Sequence, residues 1–181
     1  MKISSLLKIL VLVLLLSSCA SKKNASSSKG KTSSSKHILK SKNNSLEDFA
    51  NLLEVSKKDL KNEKLYFYID NWLGTPHKMG GTTKSGIDCS GFVSNVYTEI
   101  YKEKLPRTSR DMAEEIKNKK IDKLKEGDLV FFAFGGGKID HVGIYLHNKR
   151  FVHVSSKKGV IISNLEDVWY SKYFVKSGSV F

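Results

Sequence analysis

The sequence predicts an α+β domain, with N-terminal helices packed on a five- to six-stranded antiparallel sheet. Three observations lead there. Between residues 46 and 115 apolar side chains recur at helical spacing. From residue 128 onward the pattern changes to short β-rich runs. Those runs are separated by turns such as Asn148-Lys149 and Lys157-Lys158-Gly159, and helices followed by hairpin-linked strands segregate into α+β architecture.

In chain order, Ser45 is placed to cap a first helix carrying Leu46, Phe49, Leu52, Leu53, Val55 and Leu60. A second helix, "NEKLYFYIDNWLG", should end at Gly74. "TPHKMGGTTKSGID" reads as a loop, punctuated by Pro76 and three glycines. From Cys89 a third helix places Phe92, Val93, Val96, Tyr97, Ile100 and Tyr101 on one face. A short helix should follow "LPRTS", capped by Thr108 or Ser109. Strands are expected at 128–134, 141–147, 151–156, 159–163 and 172–181.

The chain has 181 residues and a formal net charge of +13, a length suited to one domain plus extensions. Residues 1–18 have a basic start and a short apolar run from Ile9 to Leu16, the pattern of an export signal. Leu16-Ser17-Ser18-Cys19 resembles a bacterial lipobox, which implies cleavage before Cys19 and lipid on its thiol. Residues 19–45 are rich in Ser and Lys and are expected to form a flexible tether. The folded domain is assigned to 46–181. Residues 1–62 hold twelve Lys against four acids; the remainder holds 19 basic residues against 14 acids. The basicity is mainly a tail property, which argues against a nucleic-acid-binding domain. These features predict a membrane-anchored lipoprotein of the cell envelope, in the outer membrane and facing the periplasm if the cell is Gram-negative.

With Cys19 lipidated, Cys89 is the one thiol of the folded part. Exported proteins usually pair their cysteines, so a lone thiol there is either inert in the core or chemically used. "DCSGF" puts Cys89 at a helix start, where free N–H groups favour a thiolate. A nearby imidazole would take the thiol proton, and a third polar group would orient that imidazole. Of the five histidines, His37 lies in the tether and His147 at a turn, where it reads as solvated. His141 and His153 lie on consecutive strands. Alternation puts His141, Gly143 and Tyr145 on one face, with Gly143 leaving open space beside His141. A two-residue turn at Asn148-Lys149 would set Ile144 opposite His153 and turn the two histidines to opposite faces. A shared site therefore requires an odd-length connection or a bulge.

These motifs resemble the NlpC family of cell-wall cysteine peptidases. "GIDCSGFV" matches the nucleophile motif, "EGDLVFF" the strand before the base, and "HVGIYLHNKRFVHVSS" the base and orienter hairpin; "LPRTS" also recurs there. The resemblance runs from about Asn62 to the C-terminus. It implies a papain-like fold and hydrolysis of amide bonds in peptidoglycan stem peptides or crosslinks. By position it makes Cys89 the nucleophile, His141 the general base and His153 the orienter. Asp88 and Ser90 would line the substrate site, and the Cys89 backbone N–H would help hold the oxyanion. Many members carry Tyr twelve residues before the Cys; this chain carries His77, which is expected near Cys89. The reading requires no cofactor and no metal, and describes a monomer. A zinc site of Cys89, His141 and His153 lacks a short chelating pair and a fourth ligand. The same fold also accommodates a non-catalytic wall-binding lipoprotein, an acyl transferase or an amidase for a different bond.

Overall fold

The computed structural model describes residues 42–180. The expected signal peptide, Cys19, His37 and the expected tether up to residue 41 lie outside the described residues. Helix α1 spans Lys42–Leu53. It thus begins before the expected boundary at residue 46, and Ser45 sits inside it rather than capping it. The Ser45 side chain is buried and its Oγ has no hydrogen-bond partner among the described residues. Helix α2 spans Glu63–Trp72, capped by the Asn62 side chain, which accepts from the Leu65 N–H. Gly74, at φ +77°, ends it as the sequence suggests.

Strands β1 (Thr82–Thr83) and β2 (Gly86–Ile87) form a short antiparallel ribbon. Helix α3 then spans Cys89–Val96 and runs into a π-helical turn at Tyr97–Tyr101. Phe92, Val93 and Val96 are fully buried, each contributing on the order of 1.5–3 kcal/mol by leaving water. Helix α4 spans Ser109–Glu114, with Thr108 as its cap.

Strands β3 (Lys117–Asn118), β4 (Leu129–Phe132), β5 (His141–Tyr145), β6 (Arg150–Ser155) and β7 (Gly159–Asn164) follow. Helix α5 (Val168–Tyr173) and strand β8 (Phe174–Ser179) complete the described chain. Six strands form one antiparallel sheet in the order β3-β8-β4-β5-β6-β7. The α+β architecture is therefore as expected. Other elements differ. Residues 82–87, expected as loop, form β1 and β2, and Val55 and Leu60, expected on the first helix, lie beyond its end at Leu53. The two-residue β3 carries too little pattern to be read, and the start of the expected final strand is helical through Tyr173.

Both sheet faces are covered. Phe131, Ile144 and Val152 share the main core with Leu65 and Phe92. Val130, Phe132, Tyr145 and Phe151 form a second core under Tyr170 and Phe174.

The β5–β6 connection determines which face the histidines share. Gly143 pairs with His153 and Tyr145 with Phe151. Leu146 N–H donates to the Arg150 carbonyl, leaving three residues, 147 to 149, as the turn. Asn148 and Lys149 both take left-handed φ, +46° and +62°. The connection is of odd length, and His141 and His153 fall on one face. The space beside Gly143 is not open, however. A Cβ there would lie 2.7 Å from Phe151 Cδ2 and 3.2 Å from His153 Cβ, so the missing side chain lets β6 pack close.

Candidate active site

Cys89 is the first residue of α3 and half-buried. Asp88 caps that helix, its Oδ1 accepting from the Gly91 N–H at 2.7 Å. Asp88 Oδ2 accepts from the Gly80 N–H at 2.8 Å, and the Asp88 N–H donates to the Gly81 carbonyl. Gly80, at φ +71°, gives the fold-back that presses the 74–81 loop onto the helix start. Arg107 grips Asp88 with two prongs, Nη1 to Oδ1 at 3.0 Å and Nη2 to Oδ2 at 2.7 Å, and Nη1 also donates to Ser90 Oγ. Burial alone would raise the Asp88 carboxyl; Arg107 and the Gly91 and Gly80 N–H groups outweigh it and hold the group below its ordinary range.

The Cys89 thiol lies 4.0 Å from the carbonyl of Asp140, the residue before His141. His141 Nε2 and His153 Nδ1 are 2.9 Å apart, with the rings nearly perpendicular. His153 Nε2 is 3.0 Å from both Ser163 Oγ and Tyr170 OH. Phe151 stacks on His153, and Phe134 lies against His141. Cys89, His141, His153 and His77 line a single cleft of about 700 Å³, with Asp88, Ser90 and Arg107 on its wall.

Burial lowers His141 to about 4, opposed by the Asp140 charge and reinforced by His77. Burial, then His141, takes His153 well below 6.5. Burial also pushes the Cys89 thiol above 9.0, which the Val142, Ser90 and Cys89 N–H groups oppose without cancelling. These shifts favour a neutral thiol beside neutral imidazoles over the thiolate that the helix start alone suggests. Neutral imidazoles admit two proton arrangements along this chain. Only one leaves a lone pair for the thiol proton: His141 Nε2–H donates to His153 Nδ1, freeing His141 Nδ1. His153 then carries its own proton on Nε2 and donates to Ser163 or Tyr170.

Residues 74–179 match the model of the NlpC/P60 family. The chain belongs to that family. It is an enzyme of the cysteine-peptidase type. Among NlpC/P60 relatives, the Escherichia coli protein named Murein DD-endopeptidase MepS/Murein LD-carboxypeptidase is 36% identical over 166 residues, 91% of this chain and 86% of that one. The Escherichia coli protein named Probable endopeptidase NlpC is 42% identical over 107 residues, 59% of this chain and 70% of its own length. A crystal structure of an NlpC/P60 family protein from Bacillus cereus superposes with a TM-score of 0.59 at 28% identity, over 68% of this chain and 39% of that one.

Three of the NlpC/P60 motifs quoted from the sequence, those holding Cys89, Arg107 and the histidine hairpin, thus meet at one cleft. His147 does not join it. Nor is it solvated: its Nε2 lies 3.2 Å from Glu126 Oε2, which also accepts from Tyr66 OH at 2.5 Å. Sequence reasoning missed four participants. Arg107 was visible only as part of "LPRTS". Asp140, whose carboxylate accepts from the Phe134 and Gly135 N–H groups, anchors the glycine loop beside the site. Ser163 and Tyr170 carry no local signal. Among the described residues, no group of three His, Cys, Asp or Glu side chains is arranged to hold a metal ion.

Proposed function

We propose that this chain is a lipid-anchored peptidoglycan endopeptidase that cuts an amide bond of the stem peptide or its crosslink by a Cys89–His141–His153 mechanism. The observation that carries the reading is the thiol at the α3 N-terminus sharing a cleft with two buried, mutually hydrogen-bonded histidines. As Cys89 Sγ attacks the substrate carbonyl, its proton passes to His141 Nδ1. The new imidazolium donates from Nε2 to His153 Nδ1, which fixes its direction and spreads its charge. The oxyanion is held by the Cys89 N–H and by His77 from the facing loop. His141 returns the proton to the departing amine, leaving a thioester. A water molecule, deprotonated by His141, then releases the acid and restores the thiol.

Buried neutral histidines suit this sequence, because charge appears only when substrate has displaced water from the cleft. Asp88, Ser90 and Arg107 form a polar wall beside Cys89 and are assigned to substrate binding. The relative matched over 91% of this chain is named a DD-endopeptidase, which makes the peptide crosslink the first bond to test. Lipid on Cys19 and the Ser/Lys tether would hold the enzyme at a membrane facing the wall, as a monomer acting on an insoluble mesh.

Purified muropeptides provide the test, with products identified by mass spectrometry. The wild-type chain should release cleaved stem or crosslink peptides, and Cys89→Ala should release none while melting at the same temperature. Equal digestion by both proteins would end the thiol mechanism. His141→Ala should be nearly inactive and His153→Asn should retain more activity. The reverse order would exchange their roles.

A further inference from the structure

Trp169, on α5, is 56% exposed, in contrast to Trp72, which is buried at 7%. It is nevertheless held in place. Its ring stacks on Phe134 at 5.8 Å and 25°, and packs against Tyr173 at 4.7 Å. Phe134 in turn lies 5.1 Å from the His141 ring. Trp169 and Phe134 line the same cleft as Cys89, so the aromatic wall is continuous with the reaction site. On the same cleft, from the 74–81 loop, Met79 is 83% exposed. Exposed large apolar groups at a cleft mark a binding surface.

We infer that Trp169, backed by Phe134 and Tyr173, is a sugar-binding shelf that takes the pyranose face of an N-acetylhexosamine in the glycan strand bearing the stem peptide. The inference rests on the peptidoglycan reading above. Stem peptides are built from alanine, glutamate and a diamino acid, and none of these offers a flat apolar face. The flat face in peptidoglycan belongs to its sugar rings, whose C–H bonds point outward and carry slight positive charge. An indole face is electron-rich and complements them. Packing on two neighbouring rings sets the indole plane in advance, so little freedom is lost on docking. The shelf would favour peptides still attached to glycan over free peptides already released from the wall.

The test compares two substrates with the full-length protein: a disaccharide-bearing crosslinked muropeptide, and the same crosslinked peptide with its sugars removed. Trp169→Ala should raise KM about tenfold on the sugar-bearing substrate, leave kcat within about twofold, and leave the sugar-free substrate unchanged. Trp169→Phe should recover most of the loss. An equal change on both substrates would assign the ring to the peptide and overturn the shelf, as would no change on either. A second measurement does not depend on cleavage. Cys89→Ala protein is titrated with the peptide-free disaccharide while tryptophan emission is followed; Trp72 is sheltered, so a saturable change reports Trp169. The change should vanish in Cys89→Ala/Trp169→Phe, and persistence there would overturn the shelf. If the wild-type chain cuts neither substrate, the peptidase reading fails, and the emission titration still decides the sugar site.

Discussion

Arg107 and Asp88 form a two-pronged ion pair, 2.7 and 3.0 Å, at the residue immediately before the nucleophile. Arg107 is partly exposed, so the pair adds little to global stability. Its effect is local: it fixes the carboxylate that caps α3 and therefore the position of Cys89. Arg107→Ala should shift the melting temperature only slightly and lower kcat/KM by about ten- to a hundredfold, as expected when a reacting group is misplaced by a fraction of an ångström to an ångström. Arg107→Lys should recover only part, because an ammonium cannot make both prongs. Full activity in Arg107→Ala would show that Asp88 holds the helix start unaided.

The elements with a strong period were legible in the sequence. The helical face of α3 and the apolar, β-rich runs of strands β4 to β7 each repeat their signal several times. Even the odd-length β5–β6 turn followed from requiring two histidines on one face. Single-residue contributions were not legible. Tyr170 reaches His153 from 17 positions away, and Ser163 from the neighbouring strand. No pattern in the sequence points to either. The α5 segment "VWYSKY" is made largely of residues common in strands, and only its packing on the second core reveals a helix.

Tyr170 and Ser163 act on the far nitrogen of His153 and are positioning residues. Each hydroxyl lies 3.0 Å from Nε2, so either can accept its proton when the other is absent. Tyr170→Phe alone and Ser163→Ala alone should each lower kcat by less than about threefold. The double variant leaves a buried N–H without a partner and loosens the tautomer, so it should fall by about tenfold or more. The acid limb of its pH–rate profile should also move, which a merely loosened fold would not produce. Strictly multiplicative losses would mean the two hydroxyls do not substitute for each other.

The pH response follows from His141 at about 4, well below 6.5. Between those values the unfolded chain binds a proton that the folded chain refuses. Stability therefore rises with pH across that window, is fully present above pH 6.5, and is lost as pH falls toward 4, by about 3 kcal/mol from His141 alone. Melting temperatures from pH 4 to 8 should show this slope, and His141→Ala should reduce it, leaving the part that buried His153 contributes. The raised thiol predicts slow alkylation of Cys89 by iodoacetamide at pH 6 and acceleration at alkaline pH. Rapid alkylation at pH 6 would identify a resting thiolate–imidazolium pair instead.

His77 lines the cleft from the loop that Gly80 folds over the helix start. On the proposed role as an oxyanion donor, its loss should be felt in kcat: His77→Ala should fall by roughly ten- to a thousandfold. His77→Tyr should keep substantial activity, since a hydroxyl can donate from the same place, and should remove any pH feature due to the imidazole. An unchanged rate and pH profile in His77→Ala would exclude the side chain from the reaction.

Gly143 sits between the two histidines of the hairpin, directly opposite His153. Its backbone is ordinary extended strand, so an alanine there meets no conformational barrier, only a steric one. The added Cβ would fall 2.7 Å from Phe151 Cδ2, 2.9 Å from the Val152 carbonyl oxygen and 3.2 Å from His153 Cβ. The carbonyl belongs to the paired strand and cannot turn away, so β5 and β6 must separate locally. Overpacking of this kind destabilises by about 1–3 kcal/mol, which a thermal melt should register as a drop of several degrees. The same displacement carries His153 away from the 2.9 Å contact with His141. Gly143→Ala should therefore lose activity at temperatures where it remains folded, and by a larger factor than His153→Asn, which keeps the strands in place. Melting and kcat/KM both at wild-type values would show that the hairpin absorbs the methyl group without moving the pair.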